Sequence, residues 1–232
     1  MNNMHVVIFA GGTVRPGQAL FHAIGSADMC IAADSGAATA LQYGCTPHIV
    51  VGDLDSLEGS LFEDLRKRGC EIRQAAVEKD ETDTELAMQA AIDEGATRIT
   101  LVGALGGARF DHEMANILLL AGFKDVPITL VDGPSMCWLV QGPGNTAIDG
   151  KKGDLVSFLP LTGDASGIRT EGLYYALNNE TLSFGRPRGV SNVLTGEHAV
   201  VSVEKGMLLV IYTHVEELNE SAAPDQSPDA AP

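Results

Sequence analysis

Carboxylates collect where apolar runs end. Ile49-Val50-Val51 leads into Gly52-Asp53-Leu54-Asp55-Ser56. Asp53 and Asp55, two residues apart at a turn that glycine permits, offer the oxygen ligands that a hard divalent cation such as Mg2+ takes. Asp34-Ser35-Gly36 follows Ile31-Ala32-Ala33 in the same way, Lys79-Asp80-Glu81-Thr82-Asp83 precedes a helical pattern, and Gly103 to His112 follows Ile99 to Val102. Several acids, a lysine, an arginine and a glycine-rich loop are what phosphoryl transfer needs. The acids hold a metal, the cations neutralise phosphate oxygens, and glycine lets the backbone approach a polyphosphate closely. Each fragment alone has a plainer reading. Asp53 and Ser56 suit a turn or an N-cap, and Asp83 favours a first helical turn. Lys79 suits a solvated surface, Arg109 and Asp111 a surface ion pair, His112 a helix start, and Gly106-Gly107 a tight turn. Position is what separates the two readings.

The elements supply that position. His5 to Ala10 is an apolar run ending in Gly11-Gly12, and further strands are expected at Ile31–Ala33, Ile49–Val51, Glu71–Gln74, Ile99–Val102 and Ile128–Val131. Between them lie helical patterns: one through Leu41 stopping at Gly44, one with Leu57, Leu61 and Leu65 ending at Gly69, and one from a Thr82/Glu85 capping box to Gly95. A fourth sets Met114, Ile117, Leu118 and Ala121 on one face and His112 with Asn116 on another. Such alternation implies a mainly parallel sheet covered by helices on both faces. Ligands of such sheets bind outside the carboxyl ends of the strands, where all four polar clusters fall, so they should converge on one cleft. After about Pro134 short apolar segments near Leu139, Leu155–Leu159, Leu173–Leu177, Val200–Val203 and Met207–Tyr212 are punctuated by Gly, Asn, Asp and Pro, which reads as an all-β sandwich or jelly-roll-like unit. The expected division is residues 1–134 as an α/β nucleotide- and metal-binding domain, 135–215 as a β domain, and 216–232 as an acidic disordered tail.

Composition narrows the function classes. A net charge of -16 over 232 residues argues against a nucleic-acid or anionic-membrane partner, since either needs clustered Lys and Arg. An acidic protein that handles a nucleotide needs a bridging metal. Cys30, Cys45, Cys70 and Cys137 are scattered without a C-x-x-C pair, which points to reduced thiols and a cytoplasmic location. No apolar run is long enough to span a membrane or serve as a signal peptide. Gly142 to Ala147 fits a dinucleotide fingerprint only superficially, because no helix follows it. His112-Glu113-Met114-Ala115-Asn116 lacks the second histidine of a zincin.

Asp34-Ser35-Gly36, Gly52 to Ser56, Lys79 to Asp83, Gly106-Gly107-Ala108-Arg109-Phe110-Asp111-His112 with Asn116, and Gly189-Val190-Ser191-Asn192 together resemble the motifs of the thiamine pyrophosphokinase family, bacterial type. The resemblance spans nearly the whole chain apart from its acidic end. It implies a two-domain α/β plus β fold, a homodimer with each active site between subunits, and Mg2+-dependent transfer of pyrophosphate from ATP to thiamine, giving thiamine diphosphate and AMP. It further implies Asp53, Asp55 and Asp83 as metal ligands, acting in catalysis with Asp80, Arg109 and Asp111. Asp34, Lys79, Arg109, His112 and Asn116 are implied as the shell around ATP and its phosphates, and Tyr175, Ser191 and Asn192 as the thiamine side. Either Asp80 or Asp111 is expected to orient or deprotonate the thiamine hydroxyl. Two positions depart from the family pattern: Tyr175 stands where some members carry Trp, and Ala108 interrupts Gly-Gly-Arg. The residues by themselves leave open a metal-dependent phosphohydrolase or a nucleotide-sugar transferase built on Asp-x-Asp, and a non-catalytic thiamine or nucleotide sensor.

Overall fold

The computed structural model describes residues 3–53 and 59–222. Its first half runs β1 (His5–Phe9), α1 (Gln18–Gly25), β2 (Met29–Ala33), α2 (Gly36–Gln42), β3 (Ile49–Gly52), α3 (Gly59–Lys67), β4 (Glu71–Gln74), α4 (Asp83–Asp93), β5 (Arg98–Val102), α5 (Phe110–Gly122) and β6 (Ile128–Asp132). A strand buried on both faces must be apolar at every position, and β1 meets that requirement. Val6 and Ile8 face one core while Val7 and Phe9 face the other. Against the first face pack Ala87, Met88, Ala90 and Ala91 of α4 and Leu120 of α5. Leu20 and Ala23 of α1, Ala37 and Ala40 of α2, and Leu65 of α3 cover the second. At about 1.5–3 kcal/mol for each fully buried Leu, Ile or Phe, these two layers fix the strand ends more firmly than any loop contact does.

The second half continues β7 (Ser135–Gln141), β8 (Gly144–Asp149), β9 (Leu155–Pro160), β10 (Ala165–Glu171), β11 (Asn178–Leu182), β12 (Asn192–Val193), β13 (His198–Val203), β14 (Met207–Thr213) and α6 (Val215–Ala222). Among the described residues the strands form a ten-stranded sheet, ordered β12-β9-β14-β7-β6-β5-β1-β2-β3-β4, and a four-stranded sheet, ordered β11-β10-β13-β8. Pairing is parallel from β4 across to β6 and antiparallel from β6 outward. The two β layers enclose a separate core that includes Phe158, Ile148, Ile168, Leu208 and Tyr212. The fold is therefore α/β followed by an antiparallel β-rich region. Residue 134 lies in the Gly133-Pro134 turn of a hairpin whose strands pair Asp132 with Ser135, so the large sheet continues across it. No helix among the described residues is long and apolar enough to cross a membrane.

Several local expectations change. The strand expected over Leu173–Leu177 is a bend with one isolated bridge from Leu173 to Leu194, and the ladder begins at Asn178. Gly172, at φ +76, turns the chain there. Residues 216–222, read above as the start of a disordered tail, belong to α6. That helix is held by Val215 N donating to buried Asp154 (3.0 Å) and by an ion pair from Lys151 to Glu216 (2.6 Å), partners that composition cannot reveal. On α5 the apolar face is turned partly outward, with Met114 and Leu118 exposed and Asn116 and Leu120 buried. Gly142 to Ala147 is the turn from β7 of the large sheet into β8 of the small one, with no helix after it. The four cysteines are free thiols.

Candidate active site

Five loops, after β1 to β5, open at the carboxyl end of the parallel strands, and together they line a cavity of about 460 Å3. Their close approach depends on glycine. Gly12 N donates to Gly103 O (2.9 Å) and Thr13 N to Gly106 O (2.8 Å), which joins the β1 loop to the β5 loop. A Cβ on Gly12 would lie 2.4 Å from Gly103 O and 2.5 Å from Gly106 O, so no other residue fits without moving that wall. Gly52, at φ +153, lets the end of β3 come against Asp34, where an added Cβ would be 3.1 Å from the Asp34 Cβ. Asp34 itself takes a left-handed φ of 47°, a conformation that Asp tolerates better than most residues, and its N–H donates to Val51 O at 2.8 Å.

The cavity gathers the acids. Asp34, Asp53 and Asp83, each half-buried, bring one carboxylate oxygen apiece within 4.8 Å of one another. Asp83 opens α4, whose N-terminus is capped by Thr82 Oγ1 accepting from Glu85 N (3.2 Å). Its position in the first turn also suits the helix dipole. Lys79 Nζ donates to Asp83 Oδ1 at 2.6 Å. Three carboxylates at this separation repel one another unless cations offset them. Oxygens on opposite sides of a Mg2+ ion lie roughly 4 Å apart, so a small contraction of the three would seat one, and an all-carboxylate donor set suits such a hard ion. Asp55 lies outside the described residues.

The far wall is the loop from Gly103 to Arg109 with the start of α5. Glu113 Oε1 accepts from Gly106 N (3.1 Å), and the Asn116 amide, 7% exposed, donates to Ala104 O (2.9 Å). These two side chains hold the glycine loop in shape from the helix. Arg109 and His112 also line the cavity. The Arg109 guanidinium is bonded to both Asp111 carboxylate oxygens (2.9 and 2.6 Å), with both side chains exposed. That pairing holds the Asp111 carboxyl down to about 2, which makes it a weak base.

Two family models match the chain: thiamin pyrophosphokinase, catalytic domain, over residues 21–131, and thiamin pyrophosphokinase, vitamin B1 binding domain, over residues 145–208. Thiamine pyrophosphokinase of Bacillus subtilis is 31% identical over 184 residues, covering 78% of this chain and 85% of that protein. The chain belongs to the thiamine pyrophosphokinase family. It is accordingly an enzyme, a pyrophosphoryl transferase. Thiamine pyrophosphokinase 1 of rice is 26% identical over 174 residues, which is 71% of this chain and 66% of that one. The crystal structure of the Bacillus subtilis protein superposes with a TM-score of 0.80 at 28% identity, over 90% of this chain and 99% of that chain. That of Geobacillus thermodenitrificans thiamin pyrophosphokinase gives 0.76 at 29%, over 90% and 97%.

Within this pyrophosphokinase fold the expected site residues divide into groups. Asp34, Asp53, Lys79, Asp83, Gly106, Gly107, Arg109, His112 and Asn116 share the cavity. Asp80 and Asp111 do not line it, and both are exposed. Tyr175, Ser191 and Asn192 form a second locality on the β-rich half, outside the cavity. There the buried Asn192 amide clamps the Tyr175 backbone, accepting from Tyr175 N (2.9 Å) and donating to Tyr175 O (2.8 Å). The Tyr175 ring is 63% exposed and meets Tyr174 edge to face, centroids 4.8 Å apart. Ser191, exposed at φ 61, donates its N–H to Ser157 Oγ (3.0 Å). Gly11, Gly12, Glu81 and Glu113 line the cavity without having been singled out for it. The Gly11-Gly12 pair directly after an apolar strand was the available signal for the first two.

Proposed function

We propose that this enzyme transfers a pyrophosphoryl group from ATP to the primary hydroxyl of thiamine, giving thiamine diphosphate and AMP. The observation that carries the reading is the convergence of Asp34, Asp53 and Asp83 beside Lys79 and the Gly106-Gly107 loop, in one cavity at the strand ends. Asp53 and Asp83, with Asp34 and with Asp55 two residues further along the chain, would hold Mg2+. When bound, that ion supplies neutralisation and orientation of phosphate oxygens. Lys79 and Arg109 offset phosphate charge, and the glycine loop admits the polyphosphate close to the backbone. His112 and Asn116 complete the nucleotide wall.

The thiamine oxygen attacks the β-phosphorus. A new O–P bond forms there as the bond to the bridging oxygen of AMP breaks, and the hydroxyl proton passes to an acceptor. Tyr175, held by Asn192 and followed in the fold by Ser191, offers an aromatic face to the thiamine rings. This locality and the cavity are separate in one chain. A homodimer in which the β-rich half of one subunit faces the cavity of its partner would bring them together. Either Asp80 or Asp111 would then orient or deprotonate the hydroxyl of the bound thiamine. The enzyme with thiamine, ATP and Mg2+ should yield AMP and thiamine diphosphate in equal amounts. ADP would mean ordinary kinase chemistry, and phosphate released without thiamine would mean a hydrolase.

A further inference from the structure

Asp83 is held from two directions. Its Oδ1 accepts from Lys79 Nζ at 2.6 Å, and its carboxylate also belongs to the group with Asp34 and Asp53. The pair is sheltered, with the side chains 14% and 29% exposed, so its attraction is screened less than that of the fully solvated Arg109–Asp111 pair. The two partners differ in freedom. Asp83 is fixed as the first residue of a capped helix, whereas Lys79 sits in the loop before it and carries a compact charge on a flexible four-carbon stem. Both line the cavity that also holds Gly106 and Gly107, so the ammonium has a second direction in which to turn.

We infer that Lys79 is an exchangeable counter-ion. It offsets the Asp83 carboxylate until a divalent cation takes that ligand, and the displaced ammonium then turns to an anionic phosphate of the nucleotide in the same cavity. Metal and polyphosphate therefore favour each other's binding by more than their direct contact supplies, and the excess passes through one side chain. Because such coupling is reciprocal, it is readable from the metal side alone. The inference rests on the reading of Asp34, Asp53 and Asp83 as a divalent-cation site.

The test is Mn2+ binding, followed by paramagnetic resonance and calorimetry, to the wild-type enzyme and to Lys79→Met, Lys79→Gln and Asp53→Asn. Thermal melting checks the fold of each, and Lys79→Gln keeps a polar group should the Met variant fold poorly. With no nucleotide present, both Lys79 variants should bind Mn2+ roughly three- to tenfold more tightly than wild type, the range of a modest ion pair removed from competition. Inorganic triphosphate measured at fixed free Mn2+ should bind them more weakly than wild type, and its enhancement by Mn2+ should shrink by a similar factor. Unchanged or weaker Mn2+ binding by both Lys79 variants, with Asp53→Asn still defective, overturns the exchange alone. Absence of Mn2+ binding in wild type, or binding indifferent to Asp53→Asn, overturns the metal reading beneath it.

Discussion

Asp53 stands one residue beyond β3, with its carboxylate beside those of Asp34 and Asp83. Asp53→Asn keeps the side-chain volume, so thermal melting should still show a folded protein, while Mg2+-dependent turnover should drop by roughly 10²-fold or more. Steady-state kinetics and calorimetry on the same preparation check both halves of that expectation. Asn116 carries a different kind of role. Its spacing four residues after His112 puts the two on one face of a helix, but spacing cannot show that its amide is committed to Ala104 O. Asn116→Ala leaves that carbonyl unpaired beside the cavity and should cost about 1–3 kcal/mol in urea unfolding, together with a raised KM for nucleotide. The carboxylate cluster is legible in part as well. The family motifs pair Asp53 with Asp83, whereas nothing local to Asp34 reveals that Gly52 brings β3 against it.

At the scale of elements, apolar runs marked β1, β2, β3, β5 and β6, since a doubly covered strand has to be apolar throughout, while β4 at the sheet edge is polar. Helices capped by their own sequence, such as α4 with Thr82, were equally plain. α1 was not, because its N-cap residue is Gly17, which has no side chain to cap with, and Glu217 Oε2 of α6 accepts from Gln18 N (3.3 Å) across 199 residues. His5 shows how one buried group ties elements together. Its ring bonds Ser26 O (3.1 Å) beyond α1 and Thr100 Oγ1 (2.9 Å) on β5. Burial pushes its imidazole below the ordinary value, against the raising effect of Ser26 O. The folded state thus resists protonation more than the unfolded chain does. Stability from this group is present above the unfolded histidine value near 6.5 and is lost as pH falls through it toward the folded value. The melting temperature should decline as pH falls below the unfolded value near 6.5, and His5→Gln should flatten that decline.

For the whole molecule, the change of grammar near residue 134 was visible in the sequence, but the continuous sheet across it was not. Its register is set by the Asp132–Ser135 hairpin and by β14 returning from the end of the chain to pair with β7. The separation of the Tyr175 locality from the Asp34–Asp53–Asp83 cavity makes assembly a functional matter. Light scattering should give twice the 24.4 kDa chain mass. If a partner subunit completes the site as proposed, Asp53→Asn and Tyr175→Ala damage opposite halves of it, and mixed dimers regain one undamaged site each. Random mixing should recover about a quarter of wild-type activity at low thiamine, where either variant alone is poor. No recovery on subunit exchange would place each site within a single chain.

The most direct measurement follows nucleotide and thiamine species together, by chromatography of quenched reactions containing enzyme, thiamine, ATP and Mg2+, with Asp53→Asn run alongside. The account predicts AMP and thiamine diphosphate in equal amounts from wild type and neither from the variant. ADP as the nucleotide product, phosphate released without thiamine, or undiminished turnover by Asp53→Asn would contradict it.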